Sequence, residues 1–317
     1  MSETTTSPAA TATTAPARPS GRKVVSDRAR AERRLGLMLV APAAIVMVAV
    51  TGYPIIYAIW LSLQRSDLRF PDQQEFVGLG NYVTVLSSHL WWSDLGRTVI
   101  ITIISVAIEL VLGMLLALVM HRALVGRGLV RTASLIPYGI VTVVAAFSWR
   151  LAFSTAEGGF VPALFNWETD PLTKTVPTIS IAILAEVWKT TPFMALLLLA
   201  GLSLVPDELH EAARVDGATT WQRFWRITIP LMRTPILVAL LFRTLDAFRI
   251  FDSIYILSNT GQNRNVETVS ILGYNQLLNQ LNLGLGSAIS VLIFICVALI
   301  ALVFIKGFGL QTSQERS

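Results

Sequence analysis

The sequence predicts an all-α integral membrane protein in which six helices cross the bilayer and both chain ends lie in the cytoplasm. Three observations carry this. Of 317 residues, 53% are hydrophobic and only 14% charged, and the mean hydropathy of +0.61 lies far on the apolar side of a soluble domain. The apolar residues gather in six runs, each long enough to cross about 30 Å of hydrocarbon, which takes roughly 20 helical residues. Lys and Arg concentrate in alternate connections between those runs, the bias that marks cytoplasmic loops.

Residues 1–20 are almost wholly Ser, Thr, Ala and Pro. Such a composition buries too little apolar surface to offset its ordering entropy and predicts a disordered tail. Arg22, Lys23, Arg28, Arg30, Arg33 and Arg34 follow, as in the positive region of a signal peptide. The apolar run behind them is too long and starts too late for a cleaved signal, so it reads as a retained helix. Residues 1–34 are thus expected to be a cytoplasmic segment, residues 35–308 the membrane domain, and residues 309–317 a cytoplasmic tail.

The six runs are approximately 35–63, 98–120, 129–153, 178–204, 231–257 and 283–304. Pro137 and Gly139 interrupt the third, Pro192 the fourth, and several charges the fifth, so these three are where a pathway is to be sought. With the N-terminus inside, the cytoplasmic segments hold the N-terminal Arg cluster, Arg122, Arg127, Arg131, Arg214, Arg223, Arg226, Arg233, Lys306 and Arg316. The opposite segments hold only Arg65, Arg69, Arg97, Lys174 and Arg264. That asymmetry sets the orientation. On the outer side, Phe76, Leu79, Tyr82, Val83 and Leu86 have helical apolar spacing and predict a short helix over 76–86, on the membrane surface or against a partner.

The loop over 206–230, PDELHEAARVDGATTWQRFWRITIP, predicts two short helices and a sharp bend. Asp207 and Glu208 suit the positive end of the first, and Gly217 can take the left-handed conformation that stops it after Val215 or Asp216. Thr219 with Gln222 is a capping-box pattern that starts the second. Leu209, Ala212, Ala213 and Val215 give the first helix a small-residue apolar side that fits another protein's groove. Pattern alone equally allows an amphipathic loop lying on the bilayer.

Glu211-Ala212-Ala213, Asp216-Gly217-Ala218, Phe224, Ile227, Thr228 and Pro230 resemble the EAA loop of ABC importer permeases, and they stand before the penultimate run, where that family has it. Ile136-Pro137-Tyr138, Trp188 with Pro192-Phe193, and Arg243-Thr244-Leu245-Asp246-Ala247-Phe248 with Ile250-Phe251-Asp252 extend the resemblance to its maltose-type carbohydrate group. Within that group the chain looks most like trehalose-importing members. The resemblance implies the type I ABC importer permease fold in a bacterial cytoplasmic membrane, in contact with lipid and a second homologous permease. It also implies an ATPase subunit dimer holding ATP and Mg, and an extracytoplasmic lipoprotein that binds the sugar. It implies no cofactor on this chain and no catalysis by it. Glu211, Ala212, Ala213, Asp216, Gly217 and Ala218 are then expected to couple to the ATPase. This sequence itself has no G-x-x-x-x-G-K-[ST] phosphate loop.

Glu186, Lys189, Arg243, Asp246, Arg249 and Asp252 fall within the runs, where a central charge costs roughly 2.5 to 3.5 kcal/mol and needs a partner or water. Arg243 with Asp246, and Arg249 with Asp252, can pair at i, i+3. Arg150 lies near the outer boundary and can snorkel. By position, the resemblance places Tyr138, Glu186, Lys189, Thr190, Phe193, Arg243, Asp246, Ala247 and Ile250 around the permease cavity, as a substrate pathway or as a gate. The cargo it implies is a disaccharide such as trehalose, with glycerol-3-phosphate or an oligosaccharide as alternatives.

Other classes fit less well. A basic net charge of +5 that sits at membrane flanks argues against nucleic acid. A stand-alone secondary transporter usually shows two related halves, and the first and last three runs show no repeat. An intramembrane enzyme would need a catalytic pattern, and neither H-E-x-x-H nor G-x-S-x-G occurs. The single Cys296 has no partner in the chain for a disulfide.

Overall fold

The computed structural model describes residues 27–70, 72–122, 127–258 and 266–314. The predicted tail, Arg22, Lys23, Arg264 and Arg316 lie outside them. The chain divides into two units, Met1–Ile55 and Ile56–Ser317. Helix α1 (Asp27–Ser62) begins in the first unit and there exposes Leu39, Val46, Met47 and Val50. Apolar side chains face outward all round it, as lipid contact demands.

The second unit is helical apart from a two-stranded antiparallel pair, β1 (Gln64–Arg65) and β2 (Glu75–Phe76), with Gln64 opposite Phe76. Next come α2 (Gly80–Ser87), α3 (His89–Arg122), α4 (Arg127–Gly139), α5 (Thr142–Phe153), α6 (Phe160–Phe165) and α7 (Thr175–Leu202). The chain continues through α8 (Asp207–Val215), α9 (Thr220–Arg223), a π-turn, α10 (Ile229–Leu231) and α11 (Arg233–Ala247). It ends with α12 (Asp252–Leu257), α13 (Val269–Tyr274) and α14 (Leu283–Gln314). Among the described residues, four helices are long and apolar enough to cross a membrane: Arg34–Ser62, His89–His121, Thr175–Leu202 and Leu283–Gly307. Two bent pairs raise the number to as many as six: Arg131–Gly139 with Thr142–Phe153 at 86°, and Thr220–Leu231 with Arg233–Ala247 at 69°.

The core is built on α3 against α7. Met114, Met194, Ala195 and Leu198 are buried there, joined by Ala239 and Ala247 of α11. Gly113 permits the approach, since a Cβ at that position would lie 2.7 Å from Met194 Cγ. A second apolar cluster gathers Ile101, Ile183, Val187, Ile250 and Ile254. At the β-pair, the Asn81 side-chain amide donates to the Ser62 and Gln64 carbonyls, both at 2.8 Å. Nearby, Arg69 bonds Asp67 and holds that carboxyl below its ordinary value.

Two expectations need correction. The outer helix is shorter than the 76–86 that the spacing predicts: it begins at Gly80, and Phe76 is in a strand whose register with Gln64 removes it from the helix. Its apolar side does face outward, with Leu79, Val83 and Leu86 exposed. The fifth run is not one helix over 231–257 either. It stops at Ala247 and resumes at Asp252; the Ile250 carbonyl released by the break accepts from the Thr268 hydroxyl at 3.2 Å.

Candidate functional site

Three helices meet at one buried arginine. Arg243, on the last turns of α11, is 1% exposed. Its Nε donates to Glu109 Oε2 at 2.6 Å and its Nη2 to Glu109 Oε1 at 2.8 Å, so the carboxylate of α3 is gripped by two parallel bonds. Nη2 also donates to the Thr190 hydroxyl of α7 at 3.0 Å, and Nη1 to Asp246 Oδ2 at 2.5 Å. The Glu186 carboxylate of α7 stands 3.5 Å from Nη2. A fork of this kind is the geometry in which a buried ion pair recovers most of its desolvation cost.

Beside the cluster lies an aromatic shelf. The break between α4 and α5, where Pro137 and Gly139 end the first helix, leaves Tyr138 43% exposed. Its ring stacks on Phe193 of α7 at 5.2 Å between centroids and 12° between planes. Lys189 Nζ lies 5.7 Å from the Tyr138 centroid, within cation–π range. α7 presents Glu186, Lys189, Thr190 and Phe193 on one side because they are spaced i, i+3, i+4 and i+7. Hydroxyl donors and acceptors beside ring faces are the groups with which a protein can hold a sugar.

The structure therefore brings together seven of the predicted pathway residues: Tyr138, Glu186, Lys189, Thr190, Phe193, Arg243 and Asp246. Ala247 and Ile250 are not with them; they are buried in separate apolar clusters, where they pack helices instead of lining space. The i, i+3 pair of Arg249 with Asp252 does not form either, because α11 ends at Ala247 and α12 begins at Asp252, so Arg249 lies in the break and the two do not share a helix face. Arg150 bonds Glu157 at 2.8 Å. Sequence reasoning missed Glu109. The signal was present, since it is the one ionisable residue within 98–120.

At the other end of α11 stands the loop. α8 has no buried residue, and Glu211 and Ala212 are exposed. It closes as predicted: Gly217 has φ +78, its N–H donates to Arg214 O at 3.1 Å, and the Ala218 N–H donates to Ala213 O at 2.9 Å. These two bonds are the paired closure of a Schellman motif. The Thr219 hydroxyl accepts from Gln222 N–H while the Gln222 side chain accepts from Thr219 N–H, completing the capping box. Asp216 and Ala218 flank the turn, with Ala213 half-buried.

The family described as "Binding-protein-dependent transport system inner membrane component" matches residues 76–309, a stretch that takes in the loop, the shelf and the arginine cluster. This chain belongs to that family. The permease is 61% identical over 279 residues to the trehalose transport system permease protein SugA of Mycobacterium tuberculosis, covering 88% of this chain and 90% of that protein. It is 38% identical over 283 residues to the trehalose/maltose transport system permease protein MalF of Thermococcus litoralis, covering 87% of this chain and 94% of that protein. Its fold is shared with a bacterial ABC transporter that imports the acidic polysaccharide alginate, at a TM-score of 0.73 and 24% identity over 87% of this chain and 94% of that one. The permease is thus a multi-pass, helical membrane component of a transport system, and its relatives are transport system permease proteins.

Proposed function

We propose that this permease is one of a pair of different membrane subunits in an ATP-driven importer, and that its cargo is a disaccharide, trehalose. In this reading six helices cross the bacterial cytoplasmic membrane within residues 35–308, both ends lie in the cytoplasm, and residues 1–34 and 309–317 are tails. An extracytoplasmic lipoprotein delivers the sugar. Two ATPase subunits bind ATP and Mg, and this chain binds neither.

The observation that carries the reading is α8, a helix with no buried residue, closed by a rigid turn and continuous through the bent pair with α11. An apolar-and-small surface held out in that way is built to sit in another protein. Its displacement would reach Arg243 through α11. Glu211, Ala212, Ala213, Asp216, Gly217 and Ala218 form this joint, while Tyr138, Phe193, Lys189 and Glu186 face the pathway. Trehalose as cargo is supported by the 61% identity over 88% of the chain. Glycerol-3-phosphate is less well supported, since most of the Arg243 donors that would hold a phosphate are spent on Glu109, Thr190 and Asp246.

The test is co-purification of the ATPase with this permease from detergent extracts, with ATP turnover measured in the assembled complex. Wild-type protein is expected to carry the ATPase and to hydrolyse ATP faster with loaded binding protein. An ATPase that never co-purifies would sink the proposal.

A further inference from the structure

Arg243 stands among three acids, Glu109, Glu186 and Asp246, and the geometry decides which of them it holds. The guanidinium has five N–H donors. Nε–H goes to Glu109, the two hydrogens of Nη2 go to Glu109 and Thr190, and Nη1 gives one to Asp246. Nothing remains on Nη2 for Glu186, which explains why Glu186 Oε1 stops at 3.5 Å, inside ion-pair range and without a hydrogen bond. Among the described residues the Glu186 carboxylate accepts no hydrogen bond at all, although its side chain is only 10% exposed. Its oxygens are nevertheless not among the fully buried unpaired atoms of the described residues, so the carboxylate is an acceptor that remains accessible. It faces the same side of α7 as Lys189 and Phe193, toward the aromatic shelf.

We propose that Glu109 is a positioning residue for cargo recognition: by gripping Arg243 it keeps the guanidinium off Glu186, whose carboxylate is left to accept a hydroxyl of a neutral, polyhydroxylated cargo. The inference rests on the importer reading and deepens it. Glu109 does not touch the cargo. It acts by withholding the competing donor: without its charge the Nη2 hydrogens are released while Nη1 stays on Asp246, and Nη2 turns to Glu186, already 3.5 Å away, and closes the acceptor.

The experiment measures trehalose binding to the complete importer in nanodiscs, without the binding protein, by saturation-transfer NMR across a concentration series. Wild type is expected to bind. Glu109→Gln should weaken binding by about 10-fold or more, the worth of one charge-assisted hydrogen bond, with complex yield and ATPase assembly unchanged. The discriminating variant is Glu109→Gln with Arg243→Gln, which removes the competitor and should return affinity to within about 3-fold of wild type, the factor-of-two-to-three scatter of single contacts aside. A merely structural role for Glu109 predicts the opposite, since the double variant removes more of the buried network. Glu186→Gln leaves the Glu109–Arg243 grip in place and should also weaken binding about 10-fold. Should Glu109→Gln alone fail to assemble, the double variant and Glu186→Gln decide together: the double variant should bind within about 3-fold of wild type and Glu186→Gln about 10-fold more weakly, and any other result overturns the proposal. The proposal is overturned if wild type binds no trehalose, if Glu186→Gln binds as wild type does, or if the double variant is no better than Glu109→Gln. An importer that assembles and turns over ATP normally while these variants bind alike would remove this proposal and leave the importer reading standing.

Discussion

Gly217→Val isolates the backbone of the proposed joint from its packing. A Cβ at Gly217 would meet nothing within 4 Å, so no side-chain clash enters. The cost comes from φ +78, a region that L-residues occupy at about 1–2 kcal/mol and that β-branched residues avoid more strongly still. The same turn carries the closing bonds to Arg214 O and Ala213 O, which weaken if the backbone relaxes. At 1.4 kcal/mol per tenfold, the population of correctly aimed α8 should fall roughly 5- to 30-fold. Gly217→Asn serves as the control, because Asn tolerates the left-handed region. The assay is ATPase co-purification and substrate-stimulated ATP hydrolysis, with membrane abundance measured in parallel. Val should reduce both activities at normal abundance, and Asn should largely preserve them. If Val and Asn behave alike, the conformation of this turn does not govern docking and the reasoning is refuted.

Ala212→Trp should overpack the docking contact by about 1–3 kcal/mol and lower ATPase pull-down, whereas a loop lying on the bilayer would gain membrane affinity and keep the complex intact. Arg243→Ala leaves Glu109 buried and uncompensated, a loss of about 3–5 kcal/mol that should show as reduced thermal stability and transport. Asp246→Ala, whose side chain is 65% exposed, should lower uptake more than stability. Arg249→Ala, at an exposed site with no ion pair among the described residues, should do little by either measure; equal effects at all three would contradict the cluster. Reporter fusions near Gly217 should read cytoplasm and those near Asp72 and Glu168 the outer side, and a cytoplasmic signal at Glu168 would mean the spans are miscounted. Fusions after Gly126 and near Gln262, at positions outside the described residues, extend the same test.

Local chemistry was legible wherever a few neighbouring residues decide the conformation. Gly217, Thr219 and Gln222 specify a helix stop and a capping box that need no tertiary support, and both form where the sequence puts them. The long apolar runs likewise mark the main helices. What could not be read is what depends on contacts far along the chain. Glu109 and Arg243 lie 134 residues apart, and only folding reveals that they share two hydrogen bonds. The break at 248–251 is similar, because the Ile250 carbonyl it frees is taken up by the Thr268 hydroxyl, a contact invisible to periodicity. The resemblance puts Ala247 and Ile250 beside the pathway by position, whereas here packing against neighbouring apolar clusters buries them.

The most direct test of the whole account is reconstitution. This permease, its partner permease, the ATPase and the binding protein are placed in liposomes, and uptake of labelled trehalose is followed with and without ATP. The account predicts accumulation only when all four proteins and ATP are present, with loss of uptake when Ala212→Trp or Gly217→Val is substituted. Accumulation by this chain without the ATPase or binding protein, or ATP-driven uptake that ignores both loop substitutions, would contradict it.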